Sequence, residues 1–180
     1  RDEAEITENF NNQAKALNPY VDFFYFDVWS SVKEVRCGIE AIKEFKKPYL
    51  VGLHISEGRT LPSGENIEQI KDVIDEDTLG VMLSCVSPEN FEINLKELKS
   101  LSIPFGFKLN GFVTTKLKES YTSVFLGKKT NPNEILGKRK DLTPTKIQEI
   151  AKKFKDAGAT ILGGCCETSP SHIEAISRIK

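Results

Sequence analysis

Short apolar runs alternate with amphipathic segments along most of the chain. Unbroken apolar runs of this length are typical of buried strands, and they occupy residues 21–28, 48–55, 79–85, 104–111 and 158–164. Between these runs, apolar residues recur at helical spacing: Val32, Val35, Ile39 and Ile42; Ile67, Ile70, Val73 and Ile74; Phe91, Leu95 and Leu98; Ile147, Ile150, Ala151 and Phe154. This alternation predicts a parallel sheet covered by helices.

Several predicted helices begin or end at clear local signals. The predicted helix 2–17 ends at Asn18-Pro19, because proline cannot continue a helix. Ser31 and Glu34 have the spacing of a capping box at the start of the helix 32–45. An N-cap residue followed by proline precedes three later helices, at Ser87-Pro88, Thr143-Pro144 and Ser169-Pro170.

Five strand–helix units are compatible with two parallel folds, a doubly wound sheet and a (β/α)₈ barrel. A barrel needs eight strands and about 250 residues, whereas this chain has 180 residues. The barrel therefore fits only if roughly three units are missing from the N-terminal side. The chain begins at Arg1 in a segment that resembles the middle of a helix, which agrees with a partial barrel.

Composition excludes several classes of protein. A hydrophobic fraction of 39%, with 28% charged residues and a net charge of −1, predicts a folded core rather than disorder. A pI near 6.2 gives no electrostatic case for a nucleic acid or an anionic membrane as the main partner. No apolar run approaches the ~20 residues of a membrane-spanning helix. Since no signal peptide is recognisable, we expect a cytoplasmic protein.

Three of the four cysteines lie at the carboxyl ends of predicted strands, where parallel α/β folds carry their reactive groups. These are Cys85 and the adjacent pair Cys165 and Cys166. Three thiolates with an open fourth position form a ligand set of catalytic Zn²⁺. Packed thiols and a vicinal disulfide are the alternatives that the residues leave open. Cys37 lies off the apolar stripe of its helix, which predicts a surface or boundary position.

The glycines before the cysteine pair allow two interpretations. Gly163 and Gly164 give the backbone the freedom to bend, so that both neighbouring thiols can face one site. Alternatively, they form a phosphate-binding turn before the last helix, as in many barrel enzymes. His54 and His172 are predicted to be structural hydrogen-bonding residues.

The segment 157–173, with Gly163-Gly164-Cys165-Cys166 at its centre, resembles the signature of the homocysteine S-methyltransferase family. Ser84-Cys85-Val86-Ser87-Pro88 resembles the family's upstream cysteine element, and Asn110-Gly111 its Asn-x-Gly element. The resemblance extends over nearly the whole chain. It implies a partial (β/α)₈ TIM barrel of about five units, in which residues 1–180 are the C-terminal portion of one homocysteine-binding domain.

The resemblance also implies the site. Zn²⁺ would be held by Cys85, Cys165 and Cys166, and homocysteine would be contacted by Asp27 and Asn110. Asp27 would pair with the substrate ammonium; its alternative role is that of a helix-capping carboxylate. Three positions depart from the family pattern: Asp27 where glutamate is usual, Ser84 where asparagine is usual, and Glu167 where glycine is common.

The implied activity is transfer of a methyl group to the thiol of homocysteine, which gives methionine. The segments 136–139 and 142–144 resemble the short bacterial enzymes, which indicates a sulfonium donor such as S-methylmethionine. The predicted loop 112–142 would line the donor pocket or form a solvated surface. We expect the chain alone to be inactive, since missing strands would supply part of the site. A catalytically silent zinc-binding barrel and a phosphate-binding barrel enzyme are the alternative functions.

Overall fold

The computed structural model describes residues 2–114 and 136–179. The helices in these ranges are α1 Glu3–Leu17, α2 Val32–Ile42, α3 Pro88–Ile93, α4 Leu95–Ser100, α5 Pro144–Asp156 and α6 Pro170–Ser177. The strands are β1 Phe24–Trp29, β2 Tyr49–Leu53, β3 Thr78–Val86, β4 Phe105–Leu109 and β5 Ile161–Gly164. Short 3₁₀ helices cover Asn18–Tyr20, Lys43–Phe45 and Ile67–Asp72. None of the described helices has the length and apolar character needed to cross a membrane.

The five strands form one sheet in the order β1-β2-β3-β4-β5, and every neighbouring pair is parallel. A doubly wound sheet reverses its strand order at a switch point, whereas a barrel adds strands in chain order. The sequential order therefore confirms the predicted fold class, a partial (β/α)₈ barrel. All carboxyl ends of the strands lie on one side of this sheet.

An aromatic cluster joins the sheet to its helices. Phe107 from β4 contacts Phe91 from α3 and Phe154 from α5, with ring centroids 5.1 and 5.7 Å away. Phe91 and Phe154 also contact each other, at 4.7 Å. All three side chains are fully buried. Burial of a phenylalanine contributes about 1.5–3 kcal/mol, so this cluster fixes the helix layer under β4.

Two predicted helices differ in the structure. The segment around Ile67 and Ile70 forms only a 3₁₀ helix. The helix predicted from Phe91 to Leu98 is divided into α3 and α4 at Asn94. The Asn94 side-chain amide donates to the carbonyl oxygens of Asn90 and Gly58, both at 2.8 Å. A side chain that bonds backbone groups in this way competes with the helix.

The N-terminus of α2 carries a shifted capping box. The Ser31 hydroxyl accepts a hydrogen bond from the Glu34 backbone N–H at 3.1 Å, as predicted. The Glu34 carboxylate, however, accepts from the N–H of Ser30 at 2.8 Å, one residue before the N-cap. The backbone N–H groups of Glu34 and Ser30 are thus both hydrogen-bonded to side chains, which agrees with a helix that begins at Val32.

The predicted surface or boundary position of Cys37 is wrong. Only 3% of this residue is exposed, and its sulfur lies 3.7 Å from the carbonyl oxygen of Glu3. The reason is that α1 packs against α2 on the side where Cys37 lies. A helical wheel of α2 alone does not reveal a second helix that covers its less apolar face.

Candidate metal centre

Three cysteine sulfurs meet at the carboxyl end of the sheet. Cys85 comes from β3, and Cys165 and Cys166 directly follow β5, so the cluster spans the end of β4. The Cys166 sulfur lies 3.8 Å from that of Cys85 and 3.9 Å from that of Cys165. All three sulfurs lie within 4.8 Å of one another. The structure thus brings together the three cysteines that the sequence indicates.

The spacing of these sulfurs suits a tetrahedral zinc ion. Zn–S bonds of ~2.3 Å at tetrahedral angles place two sulfurs about 3.8 Å apart, which is close to the observed 3.8 and 3.9 Å. All three cysteines are free thiols. The vicinal disulfide is not formed, since it would require a sulfur–sulfur distance of about 2.05 Å.

An unusual backbone conformation directs Cys85 toward the cluster. Its φ of 56° lies in the left-handed region, which costs an L-residue roughly 1–2 kcal/mol. The register of β3 against β4 shifts between Ser84 and Val86. A bulge of this kind re-aims a side chain at the end of a strand.

The bend that brings Cys165 and Cys166 together lies later than predicted. Gly163 and Gly164 pair regularly with β4 and belong to β5. The chain turns after them: the N–H of Thr168 donates to the Cys165 carbonyl at 3.2 Å, and Glu167 has a φ of 60°. Since both glycines lie in a strand, they do not form the phosphate-binding turn of the alternative interpretation.

Gly164 is required for another reason, the close approach of the following turn. A Cβ at this position would lie 2.5 Å from the Thr168 hydroxyl oxygen and 2.8 Å from Cδ1 of Ile173. Real Cβ contacts are longer than this, so a side chain here would push the turn away from the sheet. The glycine therefore allows the cysteine turn to pack tightly.

Asn110 is buried beside Cys85. Its side-chain nitrogen donates to the Cys85 carbonyl oxygen at 2.6 Å and lies 3.8 Å from the Cys85 sulfur. Its side-chain oxygen accepts from the N–H of Phe112 at 3.2 Å. These contacts fix the backbone on which the Cys85 sulfur is carried. The predicted contact of Asn110 with substrate stays a prediction.

Asp27 lies in β1, two residues before the strand ends, and forms an ion pair that the sequence analysis missed. Its carboxylate oxygen is 2.6 Å from the ammonium nitrogen of Lys108, which projects from β4. The predicted alternative, a helix-capping contact, is absent from the described hydrogen bonds of Asp27, since the N-cap side chain of α2 is Ser31. A lysine inside the apolar strand Phe105–Leu109 is the signal that would have revealed this partner.

The ionisation of the cluster reflects its crowding. The hydrogen bond from the Cys85 thiol lowers the pKa of Cys165 to about 6, against the effect of burial, and the nearby charge of Lys108 acts in the same direction. The same hydrogen bond and burial raise the pKa of Cys85 above its usual range. Burial, followed by the charge of Cys165, raises the pKa of Cys166. Because cysteines bind a metal ion as thiolates, metal binding at this cluster would release protons.

The pKa of Asp27 is lowered overall. Burial raises it and is the largest single influence, but the hydrogen bonds from Lys108, Tyr25 and Ser84 and the charge of Lys108 together outweigh it. The carboxylate is therefore ionised at neutral pH. Ser84, which stands where asparagine is usual in the family, has its hydroxyl 2.5 Å from that of Tyr25.

Both histidines have the structural roles that were predicted. The His172 ring bonds the Leu142 carbonyl at 2.8 Å through Nε2 and the Ser169 hydroxyl at 2.7 Å through Nδ1. It thus connects the start of α6 to the segment before α5. His54 Nε2 lies 2.9 Å from the Ser56 hydroxyl.

Glu167, the acidic residue that follows the cysteine pair, forms an ion pair. Glu167 pairs with Lys138 at 3.4 Å, and 19% of its side chain is exposed. Lys138 belongs to the predicted loop 112–142, whose residues 115–135 lie outside the described ranges. The two described ends pair with each other: the N–H of Val113 donates to the Gly137 carbonyl at 3.0 Å, and Phe112 bridges to Lys138.

The chain is similar to known proteins over nearly its whole length. The family model for homocysteine S-methyltransferase matches residues 1–179. The chain is 27% identical over 178 residues to homocysteine S-methyltransferase 1 of Saccharomyces cerevisiae, covering 94% of this chain and 49% of the relative. It is 26% identical over 168 residues to homocysteine S-methyltransferase 1 of Arabidopsis thaliana, covering 87% of this chain and 45% of the relative.

The chain thus spans about half the length of these two relatives. Its fold is similar to that of the homocysteine methyltransferase MmuM from Escherichia coli, solved in the apo form, with a TM-score of 0.69. That similarity covers 97% of this chain and 58% of MmuM at 15% identity, so it concerns the fold alone. Since the family model matches nearly every residue, the chain belongs to the homocysteine S-methyltransferase family.

Proposed function

We propose that this chain is the zinc-binding part of an enzyme that transfers a methyl group to homocysteine and produces methionine. The observation that carries the proposal is the cluster of three free thiols within 4.8 Å at the carboxyl end of a barrel-type sheet. Membership of the homocysteine S-methyltransferase family supports the choice of reaction.

The donor set fits the metal that we propose. Thiolates are soft ligands that suit Zn²⁺, and the residues that would hold the ion are Cys85, Cys165 and Cys166. Three protein ligands leave a fourth position for substrate. Bound Zn²⁺ would lower the pKa of the homocysteine thiol and so favour the thiolate, which is the nucleophilic form.

Of the remaining residues, one would bind the substrate and another would support a metal ligand. The ionised Asp27 carboxylate would accept the substrate ammonium, and Asn110 would hold Cys85 in place. With S-methylmethionine as the proposed donor, the homocysteine sulfur loses its proton and forms a bond to the methyl carbon. The sulfonium C–S bond breaks at the same time, so that two molecules of methionine and one proton result.

We further propose that residues 1–180 form the C-terminal portion of a single barrel domain, with the other strands supplied by sequence outside this chain. The five sequential strands and the half-length match to the relatives support this arrangement. The isolated chain would then be inactive. A cytoplasmic location fits a site made of reduced thiols, and we propose no nucleic-acid or membrane partner.

Two measurements test the proposed function. Zinc is quantified in the reduced protein, with the chain joined to the rest of its barrel, and we expect one ion per molecule. Methionine formation from homocysteine is then assayed with a panel of donors that includes S-methylmethionine. A zinc content well below one per molecule would contradict the proposal, whereas full zinc content without methionine from any donor would favour the catalytically silent barrel.

A further inference from the structure

Lys108 reaches across the inner face of the sheet to a residue that we propose binds substrate. Asp27 belongs to β1 and Lys108 to β4, with β2 and β3 between them. Their charged atoms are nevertheless 2.6 Å apart. Lys108 is 22% exposed and Asp27 40% exposed at the side chain, so the pair is reachable from solvent but partly desolvated.

The pair is held in place by its surroundings. The ammonium nitrogen of Lys108 lies 5.2 Å from the centre of the Tyr25 ring, a cation–π distance. The neighbour of Lys108 in β5 is Gly163, and a Cβ there would lie 3.4 Å from Cγ of Lys108. The aliphatic part of the Lys108 side chain thus passes Gly163, which lies two residues before Cys165.

The ion pair between Lys108 and Asp27 limits which ligands can bind to the Asp27 carboxylate. A ligand with only an ammonium group would displace Lys108 from its carboxylate partner and leave a partly buried cation without an anionic partner, which is costly. A ligand with both an ammonium and a carboxylate group would replace what it removes. Its ammonium would pair with Asp27, and its carboxylate would pair with Lys108 through a charge-assisted hydrogen bond.

We propose that Lys108 is a specificity-determining residue that binds the carboxylate of an α-amino-acid thiol, so that Asp27 and Lys108 together recognise a zwitterionic head group. This inference rests on the proposed function and adds to it a second residue that recognises the head group of the thiol substrate. Thiols that lack either charged group are poor ligands of the unmodified site.

The test compares three thiols that share the reach of homocysteine: homocysteine itself, 4-mercaptobutyrate without the ammonium, and 3-mercaptopropylamine without the carboxylate. Their dissociation constants are measured by calorimetry on the zinc-loaded protein with the rest of its barrel. In Lys108→Met we expect 4-mercaptobutyrate to bind more weakly and the preference for homocysteine over 3-mercaptopropylamine to fall at least about tenfold, the size of one lost charged hydrogen bond. Binding of 3-mercaptopropylamine should strengthen, because Asp27 is released.

Two further variants separate this role from a structural one. Lys108→Arg keeps the charge and should retain the preference for carboxylate ligands. Lys146→Met removes an exposed lysine of α5 that pairs with Glu149, and it should leave all three constants unchanged. An unchanged preference for homocysteine over 3-mercaptopropylamine in Lys108→Met, whether all three thiols weaken equally or none does, would overturn the inference while leaving the proposed function intact. Failure of the unmodified protein to bind homocysteine would contradict both.

Discussion

The hydroxyl groups of Tyr25 and Ser84 lie 2.5 Å apart, although Tyr25 belongs to β1 and Ser84 to β3. The strand between them contributes Gly52 at the crossing point. A Cβ on Gly52 would lie 2.5 Å from the Ser84 hydroxyl oxygen and 2.7 Å from that of Tyr25. Because Gly52 of β2 has no side chain, the hydroxyl groups of Tyr25 and Ser84 can meet across this strand, beside Asp27.

We predict that Gly52→Ala separates these hydroxyls and lowers the free energy of unfolding by about 1–3 kcal/mol, the usual cost of overpacking. Urea denaturation measures the change. Gly163→Ala is the matched control, because its new Cβ would meet atoms only at 3.4 Å and beyond. Equal destabilisation by the two substitutions would show that the contact across Gly52 has no special importance.

Replacement of one cysteine of the cluster should abolish zinc binding. Cys85→Ser and Cys166→Ser each leave two thiolates, too few for a stable tetrahedral site, and we expect the zinc content to fall from one ion per molecule toward zero. Elemental analysis after dialysis measures it. Cys37→Ala, far from the cluster, should retain the metal. Full zinc occupancy in Cys166→Ser would refute its assignment as a ligand.

Asn110→Ala should weaken zinc binding without removing a ligand. The substitution releases the Cys85 carbonyl and leaves the sulfur less well oriented, and loss of such supporting contacts typically reduces metal affinity 10–100-fold. Competition with a chromophoric chelator gives the affinity. Asn90→Ala is the control, since it also removes a buried asparagine, one that bonds Gly58 and Ile55 instead. An unchanged affinity in Asn110→Ala would limit its role to general stability.

Alkaline pH should destabilise the fold through Tyr49. Burial raises the pKa of Tyr49 to about 12, compared with 10.0 for the unperturbed side chain. The unfolded chain therefore loses this proton first, so the free energy of unfolding is unaffected below pH 10 and falls between about pH 10 and 12. Urea denaturation at several pH values measures this slope. Tyr49→Phe should reduce it, and Tyr20→Phe, at an 85% exposed residue, should not.

Much of the architecture could be predicted because it depends on local pattern. Apolar runs located all five strands, and the carboxyl ends of those strands correctly indicated Cys85, Cys165 and Cys166 as neighbours in space. The strand order was ambiguous, because the alternation of strands and helices along the sequence is the same in an open sheet and in a barrel. The family resemblance implied the barrel, and the observed pairing of β1 through β5 in chain order confirms it.

What could not be predicted depends on contacts between distant segments. The left-handed backbone at Cys85 coincides with the register shift between β3 and β4, and no residue type near Cys85 predicts that conformation. The pairing of Asp27 with Lys108 links residues 81 positions apart. Cys37 was misjudged because the covering helix α1 lies outside the segment that its periodicity describes.

The cysteine cluster joins residues that are 81 positions apart in the chain, Cys85 and Cys166. Its sulfurs meet only after β3, β4 and β5 have aligned, so the adjacent pair Cys165 and Cys166 offers an incomplete set of ligands until then. Metal uptake therefore reports the completion of long-range strand pairing. In a refolding experiment, tight zinc binding should appear late, with the slow non-local steps of sheet assembly rather than with helix formation.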